Sequence, residues 1–209
     1  MMDLTAGQWV VHAVTHPAEG FEDMRWKKAG SLKITAVILL LWFAGAILHG
    51  RMYGFQFFAV PEKVFNIVPF LVQTVVIFLA WVIGNWSVCT LLDGEGNMRN
   101  IAVYSAYALV PYVVSLYAEV LLSHILIRDE GIFLQIISVT GTLWTAVLLF
   151  SAIRSVHQYT AFKTVLAVLL TIAAMLIMLF LLVLALSLLQ NVWLFVYSVF
   201  TELMYRLKV

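Results

Sequence analysis

Charge is scarce in this sequence. Only 11% of its 209 residues are charged, against about 25% in an ordinary soluble domain. So few charges cannot cover a water-facing surface, which excludes a soluble globular protein. The charges present nearly cancel: twelve lysines and arginines stand against eleven aspartates and glutamates, a formal net charge of +1. No basic field exists to hold nucleic acid. Cysteine occurs once, at Cys89. An intramolecular disulfide is therefore impossible, the redox compartment is left open, and a cysteine-held metal site is excluded because one thiolate is no ligand set. Catalytic templates are missing too, with no glycine-rich phosphate loop, no histidine pair flanking a glutamate and no serine in a glycine-flanked elbow. Neither an enzyme nor a cofactor is expected.

What fills the chain instead is apolar. Hydrophobic residues make up 64% and aromatic residues 14%, and the mean hydropathy is +1.01. A hydrocarbon core about 30 Å thick needs about 20 apolar residues per helix. Five such runs stand at about 34–50, 66–92, 101–126, 132–153 and 165–189. Each is read as helix, because lipid offers no partner to an open strand edge. The expected fold is an all-α polytopic membrane bundle with five transmembrane helices in one domain, residues 32–189. Lys33 and Arg51 can snorkel from the ends of its short first span.

Residues 1–31 lack the apolar core of a signal peptide and read as a cytoplasmic, interfacial segment anchored by Trp9, Phe21, Met24 and Trp26. Residues 190–209 read as an interfacial helix. Trp193, Val196, Tyr197, Phe200, Leu203, Met204 and Leu207 follow helical spacing, and Gln190-Asn191 suggests a break after the fifth span. A sixth span is the competing reading, but the run from Val192 to Phe200 is too short to cross. Arg25, Lys27, Lys28 and Lys33 crowd before the first span, which puts the N-terminus in the cytoplasm by the positive-inside rule. Counted alternately, Arg99, Arg154 and Lys163 join them inside, while Arg51, Lys63, Arg128, Arg206 and Lys208 fall outside.

Ionisable groups within a membrane are costly, so Glu119 in the third span stands out. It lies about 10 Å inside the outer end if that helix ends near Leu126. The functional reading is a proton-coupled or cation-binding carboxylate. The plainer and preferred reading is a buried acid bonded to Gln73, Thr142 or Tyr117, because no second intramembrane charge is evident. Pro111 should kink the third span, with Ser115 or a neighbour covering the freed carbonyl. Gly84 and Gly141 invite close helix approach. His124 and His157 end opposite sides of the bundle and cannot share an ion. His12 and His16 could face together, but Pro17 follows and no third ligand is near, so no metal is expected. Asp93-Gly94-Glu95-Gly96-Asn97 lacks the later ligands of a calcium loop and reads as a tight turn.

Polar and aromatic residues gather at the inner ends of three spans: Asn85, Trp86 and Asp93; Arg99, Tyr104 and Tyr107; Arg154, Ser155, His157 and Tyr159. Two readings stand side by side. One is an interfacial belt with Asp93 paired to an arginine, and the other is a cytoplasmic docking surface.

Several segments resemble the Yip family. His16-Pro17, Phe21 and Arg25-Trp26-Lys27-Lys28-Ala29-Gly30-Ser31 resemble the opening of bacterial Yip-family membrane proteins, relatives of the eukaryotic Ypt/Rab-interacting proteins. Gly84-Asn85-Trp86, Thr90-Leu91-Leu92-Asp93-Gly94-Glu95-Gly96, the run from Tyr104 to Tyr112, and Val156-His157-Gln158-Tyr159-Thr160 follow in the same order. The resemblance implies five spans, a cytoplasmic N-terminus and no enzymatic activity. The acidic Asp-Leu-Tyr-Gly-Pro signature of the Rab-linked members is absent, so Rab binding is not carried over. Bacterial relatives are often encoded beside sugar ABC importers. The implied role is an accessory subunit or adapter in the plasma membrane, in contact with lipids and with ABC transporter permease subunits. A small transporter or channel, with Glu119 as coupling carboxylate and Pro111 as hinge, is the alternative.

Overall fold

The computed structural model describes residues 4–57 and 65–207, so two of the expected outer cations, Lys63 and Lys208, lie outside the described residues. Two short helices, α1 (Ala6–Thr15) and α2 (Gly20–Trp26), precede five helices long and apolar enough to cross a membrane. The spans are Leu32–Arg51, Val68–Leu91, Met98–Ser123, Arg128–His157 and Ala161–Leu207, and no strand occurs among the described residues. The all-α polytopic bundle expected from hydropathy is therefore the architecture found.

The third span is the hub, with 56% of its most apolar window buried against 11% in the fifth. Its Ile101, Tyr104, Tyr107 and Leu116 pack against Trp42 of the first span, Phe78 of the second and Leu148 of the fourth. It breaks at Leu109 into helices Met98–Ala108 and Val110–Ser123. Pro111 causes the break, since it has no N–H and its ring crowds the preceding turn. The Tyr112 N–H next to it donates across the interface to the Thr145 hydroxyl at 3.1 Å. The Ser115 hydroxyl does not cover the carbonyl freed by Pro111; it donates to the Tyr112 carbonyl at 2.8 Å. Gly141 of the fourth span lies against this kink, where an added Cβ would be 2.5 Å from Ser115 Cβ and 3.2 Å from the Pro111 carbonyl. At Gly84 the nearest atoms are methionine side chains at an ordinary 3.4 Å. Close approach is thus a requirement at Gly141 and a convenience at Gly84. The second span carries a π-helical turn at Val72–Val76, which hydropathy cannot foresee.

Three of the four expected interfacial anchors belong to the core. Phe21 and Met24 are fully buried and Trp9 is 7% exposed, whereas Trp26 is 80% exposed. α1 and α2 fold into a hairpin that lies against the bundle, and α1 is tied to the fourth span where the Trp144 indole donates to the Val14 carbonyl at 3.1 Å. Gly20 makes the hairpin possible, because a Cβ there would be 2.7 Å from Ala13 Cα.

The fifth span corrects the expected break at Gln190-Asn191, since Ala161–Leu207 is one continuous helix of 47 residues. Neither glycine nor proline occurs in it, and an exposed amide side chain leaves the backbone ladder intact. At 1.5 Å per residue it extends about 70 Å, more than twice the hydrocarbon thickness. Its first turns pack through Thr164, Ala167 and Thr171, and every residue from Leu181 to Leu207 is exposed.

Candidate functional site

The end of the bundle that carries α2 also receives the end of the second span, the start of the third, the end of the fourth and the start of the fifth. Helix ends leave carbonyls without intrahelical partners, and these must be met by other groups. Here each end is capped by a different segment. The Tyr159 hydroxyl, from the linker after the fourth span, donates to the Cys89 and Leu92 carbonyls of the second span at 3.1 and 3.2 Å. Arg25 of α2 donates to the Ser155 and Val156 carbonyls of the fourth span at 2.8 and 3.0 Å, placing a cation where the helix dipole favours one. The Gly96 N–H, from the turn between the second and third spans, donates to His157 Nδ1 at 3.3 Å.

These caps surround a buried polar knot. Asn85 is fully buried and His157 is 2% exposed. The His157 Nε2–H donates to Asn85 Oδ1 at 3.0 Å, and the Asn85 amide donates to the Thr171 hydroxyl at 3.2 Å. With Nδ1 accepting and Nε2 donating, the ring serves in its neutral tautomer. The Tyr159 ring stacks on His157 at 5.2 Å, and Lys163 Nζ lies 4.5 Å from the Tyr159 ring centroid. Burial, reinforced by the nearby Cys89 thiol and Asp93, pushes the Tyr159 phenol above the usual tyrosine range, so it remains a donor at neutral pH. Tyr107 is buried beside α2 and accepts from the Ser31 N–H at 3.1 Å.

Three helices on this face end in the same way. Lys28, Asp93 and Gln158 have φ of 48°, 56° and 55°, the left-handed region that costs a side chain about 1 kcal/mol. Behind each, an N–H reaches five residues back: Ala29 to Met24, Gly94 to Cys89, and Tyr159 to Arg154. This is the Schellman closure of a helix. The expected tight turn at Asp93–Asn97 is present, and Gly94 is required because a Cβ there would be 2.5 Å from the Tyr159 hydroxyl.

The eight residues expected at a docking face therefore divide in two. Asn85, Tyr104, Tyr107, His157 and Tyr159 are buried, while Asp93, Arg99 and Arg154 are exposed. The expected pairing of Asp93 with an arginine is absent among the described residues. The carboxylate in that turn that meets an arginine is Glu95, paired with Arg25. No spacing rule marks Arg25 and Glu95 as a pair, although both sit in the segments that carry the family resemblance.

Glu119 lies at the other end of the bundle. It is 5% exposed, and its partner is none of Gln73, Thr142 or Tyr117 but His49 of the first span, whose Nε2 is 3.3 Å from Glu119 Oε2. Tyr117 instead donates to the Leu41 carbonyl at 2.9 Å. The third span stops at Ser123, so Glu119 is about 6 Å, one turn, from its end. At the N-terminal hairpin, His12 is committed to Asp23 at 2.9 Å while its ring lies 4.9 Å from that of His16.

The Yip1 domain matches residues 11–201, nearly the whole chain. No curated protein and no solved structure matches it.

Proposed function

Because the chain belongs to the Yip1 domain family, we propose that it works as a non-enzymatic adapter, docking on another integral membrane protein through the face that carries α2. In this reading the face looks into the cytoplasm of a bacterial cell from the plasma membrane, and the partner is a permease subunit of a sugar ABC importer.

One observation supports the reading above others: the division of the face into a buried, mutually capped frame and exposed ends. Asn85, His157 and Tyr159 consume their hydrogen bonds within the frame, whereas Asp93 and Arg154 are exposed and make no side-chain bond to any described residue. A rigid frame presenting uncommitted charges suits recognition, where charge placement sets specificity more than raw affinity. Lipid supplies little hydrophobic drive for helix association, so polar contacts and shape carry the docking. Co-expression with tagged permease subunits tests it. Asp93→Asn and Arg154→Ala should each reduce co-purification while membrane insertion stays normal, and unchanged recovery with both variants would refute the docking face.

The transporter reading rests on the His49–Glu119 contact. Glu119→Gln should abolish proton-linked flux in proteoliposomes, and no flux in the parent protein would remove that reading.

A further inference from the structure

Between the turn after α2 and the start of the third span lies a cavity of about 400 Å³, within the range of small-ligand sites. Its polar lining includes Arg25, Lys28, Glu95, Arg99, Asn100 and Tyr104. Three cations thus face one carboxylate, and the carboxylate is already paired with Arg25. Arg25 is further bound to the two carbonyls at the end of the fourth span. Lys28 and Arg99 are exposed, and their side chains make no hydrogen bond or ion pair with any described residue.

The third donor is the Tyr104 hydroxyl. Tyr104 is 2% exposed, its ring packs 5.9 Å from that of Phe21, and its hydroxyl has no hydrogen-bond partner among the described residues. The buried polar side-chain atoms without a partner among the described residues are Trp42 Nε1 and Ser155 Oγ, so the Tyr104 hydroxyl is not sealed in the core but opens to the cavity it lines, where it can donate. The turn that carries Lys28 is held firmly: Lys28 has φ of 48° and Gly30 of 116°, and a Cβ on Gly30 would be 2.7 Å from Val103.

We propose that this cavity binds a phosphomonoester dianion, held by Lys28, Arg99 and the Tyr104 hydroxyl. Two uncommitted cations match its two charges. Three donors, one from the turn after α2 and two from helix Met98–Ala108, suit a tetrahedral group with three terminal oxygens better than a flat carboxylate with two. The arginine fork takes two of these oxygens and the lysine acts as a point charge. The group can arrive as the headgroup of an anionic lipid or as a soluble phosphate. The lipid source is favoured by Trp26, 80% exposed on α2, since tryptophan settles at headgroup depth. This site does not depend on the docking role, and Asp93 and Arg154 lie outside the cavity lining.

The test uses the full chain purified in neutral detergent, titrated with dioctanoyl phosphatidic acid, dioctanoyl phosphatidylcholine and inorganic phosphate, and read by native mass spectrometry and calorimetry. Phosphatidic acid should bind as one saturable equivalent that phosphatidylcholine does not displace. Losing a charge-assisted bond costs about tenfold in affinity, so Lys28→Ala with Arg99→Ala should weaken binding at least that much. Tyr104→Phe keeps the ring against Phe21 and should weaken binding several-fold with the fold unchanged. Inorganic phosphate that binds alone and competes supports the soluble source, and phosphate that does neither supports the lipid. Absence of saturable binding by both would overturn the site. So would an equal loss from Arg154→Ala with Lys27→Ala, exposed cations of the same face outside the cavity lining, because binding would then follow general surface charge.

Discussion

Replacing Asn85 by alanine tests the buried frame behind the proposed docking face at its most enclosed point. Asn85 is fully enclosed and bridges two elements, donating to Thr171 of the fifth span at 3.2 Å and accepting from His157 of the fourth at 3.0 Å. Each lost bond removes about 1 kcal/mol, and leaving the His157 N–H buried without a partner adds about 1–3 kcal/mol. A water entering the space left behind would recover part of this. The expected loss is about 2–4 kcal/mol. Thr171→Val removes the acceptor of the Asn85 amide and the hydroxyl's own donation to the Ala167 carbonyl, and should cost about 1–3 kcal/mol. Unfolding in mixed micelles by sodium dodecyl sulfate, followed by tryptophan fluorescence, measures these differences. A cycle with His157→Ala should show coupling of at least about 0.5 kcal/mol, since the two side chains share a bond. A change below about 0.5 kcal/mol in Asn85→Ala, or strictly additive single effects, would refute the frame.

Further outcomes follow from the same geometry. Asp93→Gly should raise stability by about 0.5–1 kcal/mol by relieving the left-handed conformation, yet lower co-purification with the partner; a loss of stability would show that the side chain has a structural role. Gly141→Ala should cost about 1–3 kcal/mol through its clash with Ser115 at the Pro111 kink, whereas Gly84→Ala should be neutral or slightly stabilising, and the reverse order in the same unfolding assay would contradict the packing. Arg25→Ala should release the α1–α2 hairpin, seen as faster amide exchange in residues 6–26 and in the last turn of the fourth span, and unchanged exchange would count against its capping role.

The spans were legible because lipid imposes length and apolarity on each segment separately, so a local window suffices. The kink at Pro111 and the turn at Asp93–Asn97 were legible for the same reason: one residue type dictates local backbone. What escaped was pairing across distance. Arg25 and Glu95 are 70 positions apart, as are His49 and Glu119, and no spacing rule links them. The burial of Trp9, Phe21 and Met24 was hidden because an amphipathic face can cover protein as readily as membrane. The continuous fifth helix was missed because Gln190-Asn191 was weighed as a break, although polar side chains exposed on a helix without glycine or proline interrupt nothing. The eight candidate docking residues share one end of the bundle, as helix direction dictates, but their division into buried frame and exposed surface needs the helix packing.

Everything about the shared face depends on topology, and single-cysteine labelling tests it most directly. With Cys89, buried in the native protein, replaced by serine, cysteines at Asp93, Gln158 and Arg128 are probed in sealed vesicles of known orientation with a membrane-impermeant thiol reagent. Positions 93 and 158 should react from the same side, the cytoplasmic one, and position 128 only from the opposite side. Reaction of 93 and 158 from opposite sides, or of 128 together with them, would contradict the five-span arrangement that brings the site together.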